Sequence, residues 1–171
     1  MLKQKISSDI SVLNTLHMEH DWIPWEETIR PTLEIIEKKE QFMKTIRYSY
    51  HDLENYLLIE IFNKPFVIQD GKKKAKADIN MEYRFVENIF PYSIPDGTKH
   101  YVLWYNFKSD FLNDYLINTH INISIVKLLN NLSKTSYGND DFEFVWYENP
   151  KKTINVFHHV QVFWRLKKSK L

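Results

Sequence analysis

The 171 residues include no cysteine, only three glycines and six prolines, and no excess of either charge: 23 Lys and Arg stand against 22 Asp and Glu. Without cysteine, disulfide scaffolds, thiol nucleophiles and cysteine-rich zinc sites are excluded, and any metal would need His, Asp or Glu ligands. The expectation is a cofactor-free protein with no bound metal. A net charge of +1 gives no global field toward nucleic acid or a membrane surface, so nucleic acid is an unlikely partner except through a local patch. No apolar run approaches the roughly 20 residues of a membrane span. The opening MLKQKISSDISVL lacks the apolar segment and cleavage site of a signal peptide, which points to a cytoplasmic protein. Also missing are a Gly-rich phosphate loop, a Gly-x-Ser-x-Gly elbow and a paired-carboxylate motif.

What is present is apolar and aromatic: 43% of residues are hydrophobic and 15% aromatic, the mark of a folded globule. Two stretches organise it, FPYSIPDGTKHYVLWYN at 90–106 and NPKKTINVFHHVQVFWR at 149–165. Each is a proline-bearing turn that feeds a histidine into a run of aromatic and β-branched residues, the composition of a buried strand. Pro91 and Pro95 hold the first turn extended, and Asp96-Gly97 reverses it. In the strand that follows, His100, Val102 and Trp104 share one face and Tyr101, Leu103 and Tyr105 the other. Neither face reads as solvated, which suits a central strand. In the second stretch Phe157, His159, Gln161, Phe163 and Arg165 alternate with Val156, His158, Val160, Val162 and Trp164, so its polar groups gather on one face.

Along the chain, Ser8 or Asp9 caps a short helix, a second helix opens at Pro24, and Pro31 restarts a third carrying Leu33, Ile35, Ile36, Phe42, Met43 and Ile46. Ser49 and Asp52 read as a capping box for a strongly periodic helix through Leu53, Leu57, Leu58, Ile61 and Phe62. Residues 66–68 form a strand, Asp70-Gly71 a turn, and the lysine run 72–77 an exposed loop or hairpin tip. Ser109-Asp110 starts another helix, residues 121–132 continue helical with Gly138 as the stop, and strands follow over 142–148 and 154–166 as a hairpin. The fold class is α+β, with helices of the N-terminal third and a central helical segment packed on a mostly antiparallel sheet. One domain spans 1–171, with a peripheral helix in 1–20 and a flexible basic tail at 167–171. That tail ends Ser169-Lys170-Leu171, the peroxisomal address tripeptide, so a peroxisomal location is the alternative.

The succession WEETI, FPYSIP…HYVLW and NP…I…HHVQVF resembles the domain family typified by the fungal N-acetylglucosamine-induced protein, found in eukaryotes, bacteria and large DNA viruses. The match runs from Trp25 to Arg165, and the Ile-, Lys- and Asn-heavy composition resembles the version carried by a large DNA virus. The resemblance implies an intracellular protein loosely linked to amino-sugar metabolism, without a known reaction. By motif, His100 matches the histidine before the YVLW block and His159 the first histidine of a His-Val-His-Val-Phe pattern. Gln161 stands where that pattern has its second histidine; glutamine still hydrogen-bonds but neither titrates near neutral pH nor makes a good metal ligand.

The candidate site is a pocket in which His100, His159, Gln161 and Arg165 converge, with Asn149 and Lys152 nearby. There Arg165 would bind the phosphate of a sugar phosphate or nucleotide sugar, and a histidine would act as base. The competing reading makes both histidines satisfied core or hairpin groups and Arg165 a group paired on the surface. At the level of function, the alternative is a non-catalytic viral interaction module that binds a host or viral protein, forms a homodimer, or takes nucleic acid through the loop from Lys72 to Lys76. His17 and His20 flank Glu19 without making the His-Glu-x-x-His zinc signature, and read as a solvated helix face.

Overall fold

A computed structural model describes residues 5–6, 31–76, 80–92, 94, 96–133, 136–148 and 154–167. Its elements in chain order are β1 (Lys5–Ile6), α1 (Leu33–Ser49), α2 (Leu53–Tyr56), β2 (Phe66–Gln69), β3 (Lys72–Ala75), β4 (Tyr83–Glu87), β5 (Lys99–Tyr105), α3 (Asp114–Leu132), β6 (Phe142–Tyr147) and β7 (His159–Leu166). The class is α+β. Five strands form an antiparallel sheet in the order β1-β6-β7-β5-β4, and β2-β3 is a separate hairpin. No helix among the described residues is long and apolar enough to cross a membrane.

The period of two divides the sheet into two faces. Leu103 pairs with Val160, Tyr105 with Tyr83, and Trp146 with Val162, and these side chains lie under α3. From α3 come Ile117, Ile121, Ile125 and Leu129, one side chain per turn, all buried. Fully burying such side chains stabilises by about 1.5–3 kcal/mol each. Asn113 caps this helix by accepting from the Leu116 N–H.

The opposite face is covered piecemeal. Leu57 and Phe62 pack on Val102 and Trp104, while Tyr92 and Ile94 from the loop before β5 pack on Val145, Tyr147 and Phe163. α1, α2 and the hairpin meet through Ile46, Tyr50, Ile59 and Ala75. After α2 the backbone widens into a π-helical turn, Leu57–Ile61, in which the Phe62 N–H reaches the Leu57 carbonyl. Asn63, at φ 54°, ends it in the left-handed conformation that asparagine tolerates.

Several boundaries correct the expectations. Asp52, not Ser49, caps α2; Ser49 is the last residue of α1. The lysine run is not the hairpin tip but strand β3 itself, because Asp70 and Gly71, both at positive φ, make the tight turn ahead of it. Ser109–Phe111 is a 3-10 turn, and a single helix begins at Asp114 because Asn113 supplies the cap. That helix ends at Leu132, ahead of Gly138. β6 and β7 do pair, but β7 starts only at His159, so the connection is longer than the Asn-Pro turn implied. Of the helix expected in 1–20, Lys5 and Ile6 are a strand beside β6; the rest, with His17, His20 and the Pro24 start, lies outside the described residues.

Candidate functional site

His100, His159, Gln161 and Arg165 all lie on the face away from α3, since β5 and β7 are neighbours in register: His100 is opposite Phe163, Val102 opposite Gln161, Trp104 opposite His159. His100 is buried, stacked 4.1 Å from Phe163 with the Tyr92 ring edge-on at 4.9 Å. Its Nδ1 lies 3.1 Å from the Tyr92 backbone N–H, which can only donate. Nδ1 is therefore the acceptor and Nε2 carries the proton. Nε2 in turn lies 2.7 Å from Gln161 Oε1, which also accepts from Asn88 Nδ2 at 3.4 Å. Burial pushes the His100 pKa down to about 4, against a smaller upward pull from the Gln161 hydrogen bond. Near neutral pH this imidazole is uncharged, with both nitrogens engaged.

His159 is oriented the other way. Its ring stacks on Trp104 at 4.4 Å, and Nδ1 lies 3.1 Å from the Phe157 carbonyl, which can only accept, so Nδ1 bears a hydrogen. Arg165 stands apart from this group. It lies opposite Glu143 in the β6-β7 ladder and donates from Nε to Glu143 Oε1 at 2.9 Å, with both side chains largely buried. Asn149 and Lys152 lie outside the described residues.

Between this face and the helices is a cavity of about 780 Å³. Its helical wall is apolar, with Phe42, Met43, Ile46 and Leu57; its floor is Val86, Val102 and Trp104, with His159, Gln161 and Asn88 as a polar corner. His100 and Arg165 are not among its lining residues. Tyr56 adds a phenol whose pKa is pushed up to about 12, mainly by burial and then by the nearby Glu60 and Tyr50, so it stays protonated. Lys39 lines the cavity as well, its ammonium pKa lowered by desolvation. The size and lining fit a small molecule held by apolar contact and oriented by a few hydrogen bonds. No group of three His, Asp or Glu among the described residues is placed to hold a metal.

Sequence reasoning missed Asn88, the Tyr92 amide, Glu143 and the whole helical wall. Glu143 alone was signalled, as a carboxylate inside the aromatic run FEFVWY where a buried charge needs a partner. The wall carries no motif, because ordinary helix apolar residues compose it.

A family described as "Protein of unknown function (DUF3605)" matches residues 27–165. No curated protein matches the chain. Among solved structures, the crystal structure of HTC1 is similar over 94% of this chain and 84% of that chain, at 14% identity and a TM-score of 0.48, a likeness too slight to bear on function.

Proposed function

We propose, from the premise that this chain belongs to the DUF3605 family of proteins of unknown function, that it is a small-molecule binding protein whose ligand occupies the cavity between the helices and the sheet. The observation that carries this reading is the cavity itself: about 780 Å³, apolar on its helical wall and most of its floor, with a polar corner at His159, Gln161 and Asn88. A phosphorylated sugar or nucleotide sugar is the finer expectation. That expectation needs Arg165 as the phosphate ligand, but its guanidinium is paired with buried Glu143 and does not line the cavity, where Lys39 is the cationic side chain among the lining residues. The ligand favoured is therefore mainly apolar with a hydrogen-bonding end. Ligand-observed nuclear magnetic resonance with a fragment library and a sugar-phosphate set tests this. Apolar fragments that bind wild type and are lost in Met43→Trp, which fills the cavity, support it. Binding that survives Met43→Trp, or binding by sugar phosphates alone, overturns it.

A specific observation favours a second reading, an interaction module. Among the described residues strand β2 pairs with β3 alone, and its Phe66, Val67 and Ile68 are all exposed. The occupant would be a host or viral protein or a second copy, in keeping with the composition that resembles viral members. Nucleic acid is less favoured: the Lys72 ammonium donates to the Arg47 carbonyl, and Lys73 lies against Tyr50 and Glu60. A sedimentation dimer of wild type that Ile68→Lys dissociates would support the homodimer; a monomer would exclude it. A cytoplasmic location is part of the proposal, with peroxisomal import through Ser169-Lys170-Leu171 as the alternative, separated by imaging a fluorescent fusion with and without residues 169–171.

A further inference from the structure

The polar corner of the cavity has a definite hydrogen-bonding sense, and four groups fix it. The Tyr92 amide can only donate, so His100 Nδ1 must accept; His100 Nε2 must then donate, and Gln161 Oε1 must accept. Asn88 Nδ2 lies 3.2 Å from His100 Nε2 and 3.4 Å from the same oxygen, and with Nε2 protonated only the oxygen can accept from it. The Gln161 amide is thereby locked with its oxygen turned to the network, and flipping it would set amide hydrogens against His100 Nε2–H. Its nitrogen, with two N–H donors, meets no hydrogen-bond partner among the described residues, although the side chain is only 7% exposed and lines the cavity.

We propose that Gln161 Nε2 is the specificity donor of the cavity, and that the ligand is an uncharged, mainly apolar molecule bearing a hydrogen-bond acceptor oxygen such as a ketone, amide or ester carbonyl. This rests on the cavity reading above. The cavity is lined by Gln161 and is otherwise largely apolar, so a ligand carbonyl that accepts from this amide gains a hydrogen bond there while the apolar wall holds the remainder of the molecule. A purely hydrocarbon ligand would leave the donor unsatisfied. A primary ammonium would place donor against donor. His100 acts here as a positioning residue: it holds the amide, and the Tyr92 loop in turn holds its tautomer.

The test compares 2-acetylnaphthalene with 2-isopropenylnaphthalene, a near-isosteric pair in which a methylene replaces the carbonyl oxygen, by titration against wild type, Met43→Trp, Gln161→Met and Gln161→Glu. Wild type is expected to prefer the ketone by about fivefold, the effect of one neutral hydrogen bond. Gln161→Met should abolish the preference. Gln161→Glu keeps an acceptor for His100 and Asn88 and loses the donor, so it should abolish the preference with the fold retained, which covers the case in which Gln161→Met does not fold. Equal affinity of the two probes for wild type, with both lost in Met43→Trp, overturns the donor assignment and leaves the cavity standing. Failure of both probes to bind wild type, or binding unaffected by Met43→Trp, overturns the cavity reading as well. A ketone preference that persists in Gln161→Glu assigns the donor to another group and overturns the proposal.

Discussion

The two faces of the sheet are built from the same strands and solve burial differently. Under α3 the floor is mainly apolar and aromatic, and a single helix of 19 residues places Ile117, Ile121, Ile125 and Leu129 along it at one side chain per turn. On the other face the same strands carry His100, His159, Gln161, Glu143 and Arg165, and the cover is assembled from α1, a one-turn α2, a π-helical turn and the Tyr92 loop. Short pieces that meet at angles cannot fill space as one continuous stripe does, and what they leave is the cavity. The difference teaches that the period of two segregates more than polarity. It places His100, His159, Gln161 and Arg165 beneath the layer least able to seal over them.

The sharpest way to break this comparison is to truncate one wall residue on each side. Ile121→Ala removes a side chain fully enclosed between α3 and the sheet, and should destabilise by about 2–5 kcal/mol in urea unfolding. Met43→Ala removes a half-buried side chain that already borders open volume, so little new cavity forms, and the loss should stay below about 1.5 kcal/mol. Comparable losses would mean that the second face is as tightly packed as the first.

Much of this was legible in the chain because local rules decide it. The alternation HYVLWY and HHVQVFWR gives the strands and their faces, so that His100 and Gln161 share one face as soon as β5 and β7 are neighbours. What the sequence withholds is that adjacency, since β5 and β7 are separated by α3 and β6, and antiparallel pairing across such a gap has no local signature. The partner of Arg165 follows only from the β6-β7 register. Residues 154–158 share the composition of a strand but precede β7, which starts at His159, five residues later than composition implies. The lysine run reads as a loop by charge, yet pairs residue for residue with Phe66–Gln69 once Asp70 and Gly71 set the turn. Tertiary context overrides intrinsic preference most readily in such half-buried strands.

An acid titration separates the faces next. His100, buried on the cavity face, has its pKa depressed from 6.5 to about 4, so the folded state holds it neutral while the unfolded chain takes up a proton below about 6.5. Its contribution is present above the unfolded value and is lost as pH falls from there to the folded value. Between pH 7 and pH 5 wild type should lose about 2 kcal/mol of stability from this group. Protonation at Nδ1 also sets N–H against the Tyr92 amide, so the loop that borders the cavity should loosen first. Hydrogen exchange at residues 88–92 should accelerate over this range while α3 stays protected. In His100→Gln the acid-dependent part of the stability should shrink by about that 2 kcal/mol. An unchanged pH profile would show that His100 does not carry it.

The smallest effect distinguishes the layers by function. Asn113 caps α3 and Asp52 caps α2, each accepting from the backbone N–H three residues on, at 2.9 and 2.8 Å. Asn113→Ala and Asp52→Ala should therefore cost about 1 kcal/mol apiece in urea unfolding. Their consequences for binding should part company. α3 covers the other face and contributes no residue to this cavity, so Asn113→Ala should leave the affinity for 2-acetylnaphthalene unchanged once the protein is folded. Asp52 also accepts from the Asn55 side chain, whose oxygen receives the Ala75 amide of the hairpin, and the helix it starts supplies Leu53, Tyr56 and Leu57 to the cavity wall. Asp52→Ala should weaken the same probe, through frayed wall residues and not through lost contacts. If the two caps affect binding alike, the two faces are energetically one body, and the cavity is no more adjustable than the core beneath α3.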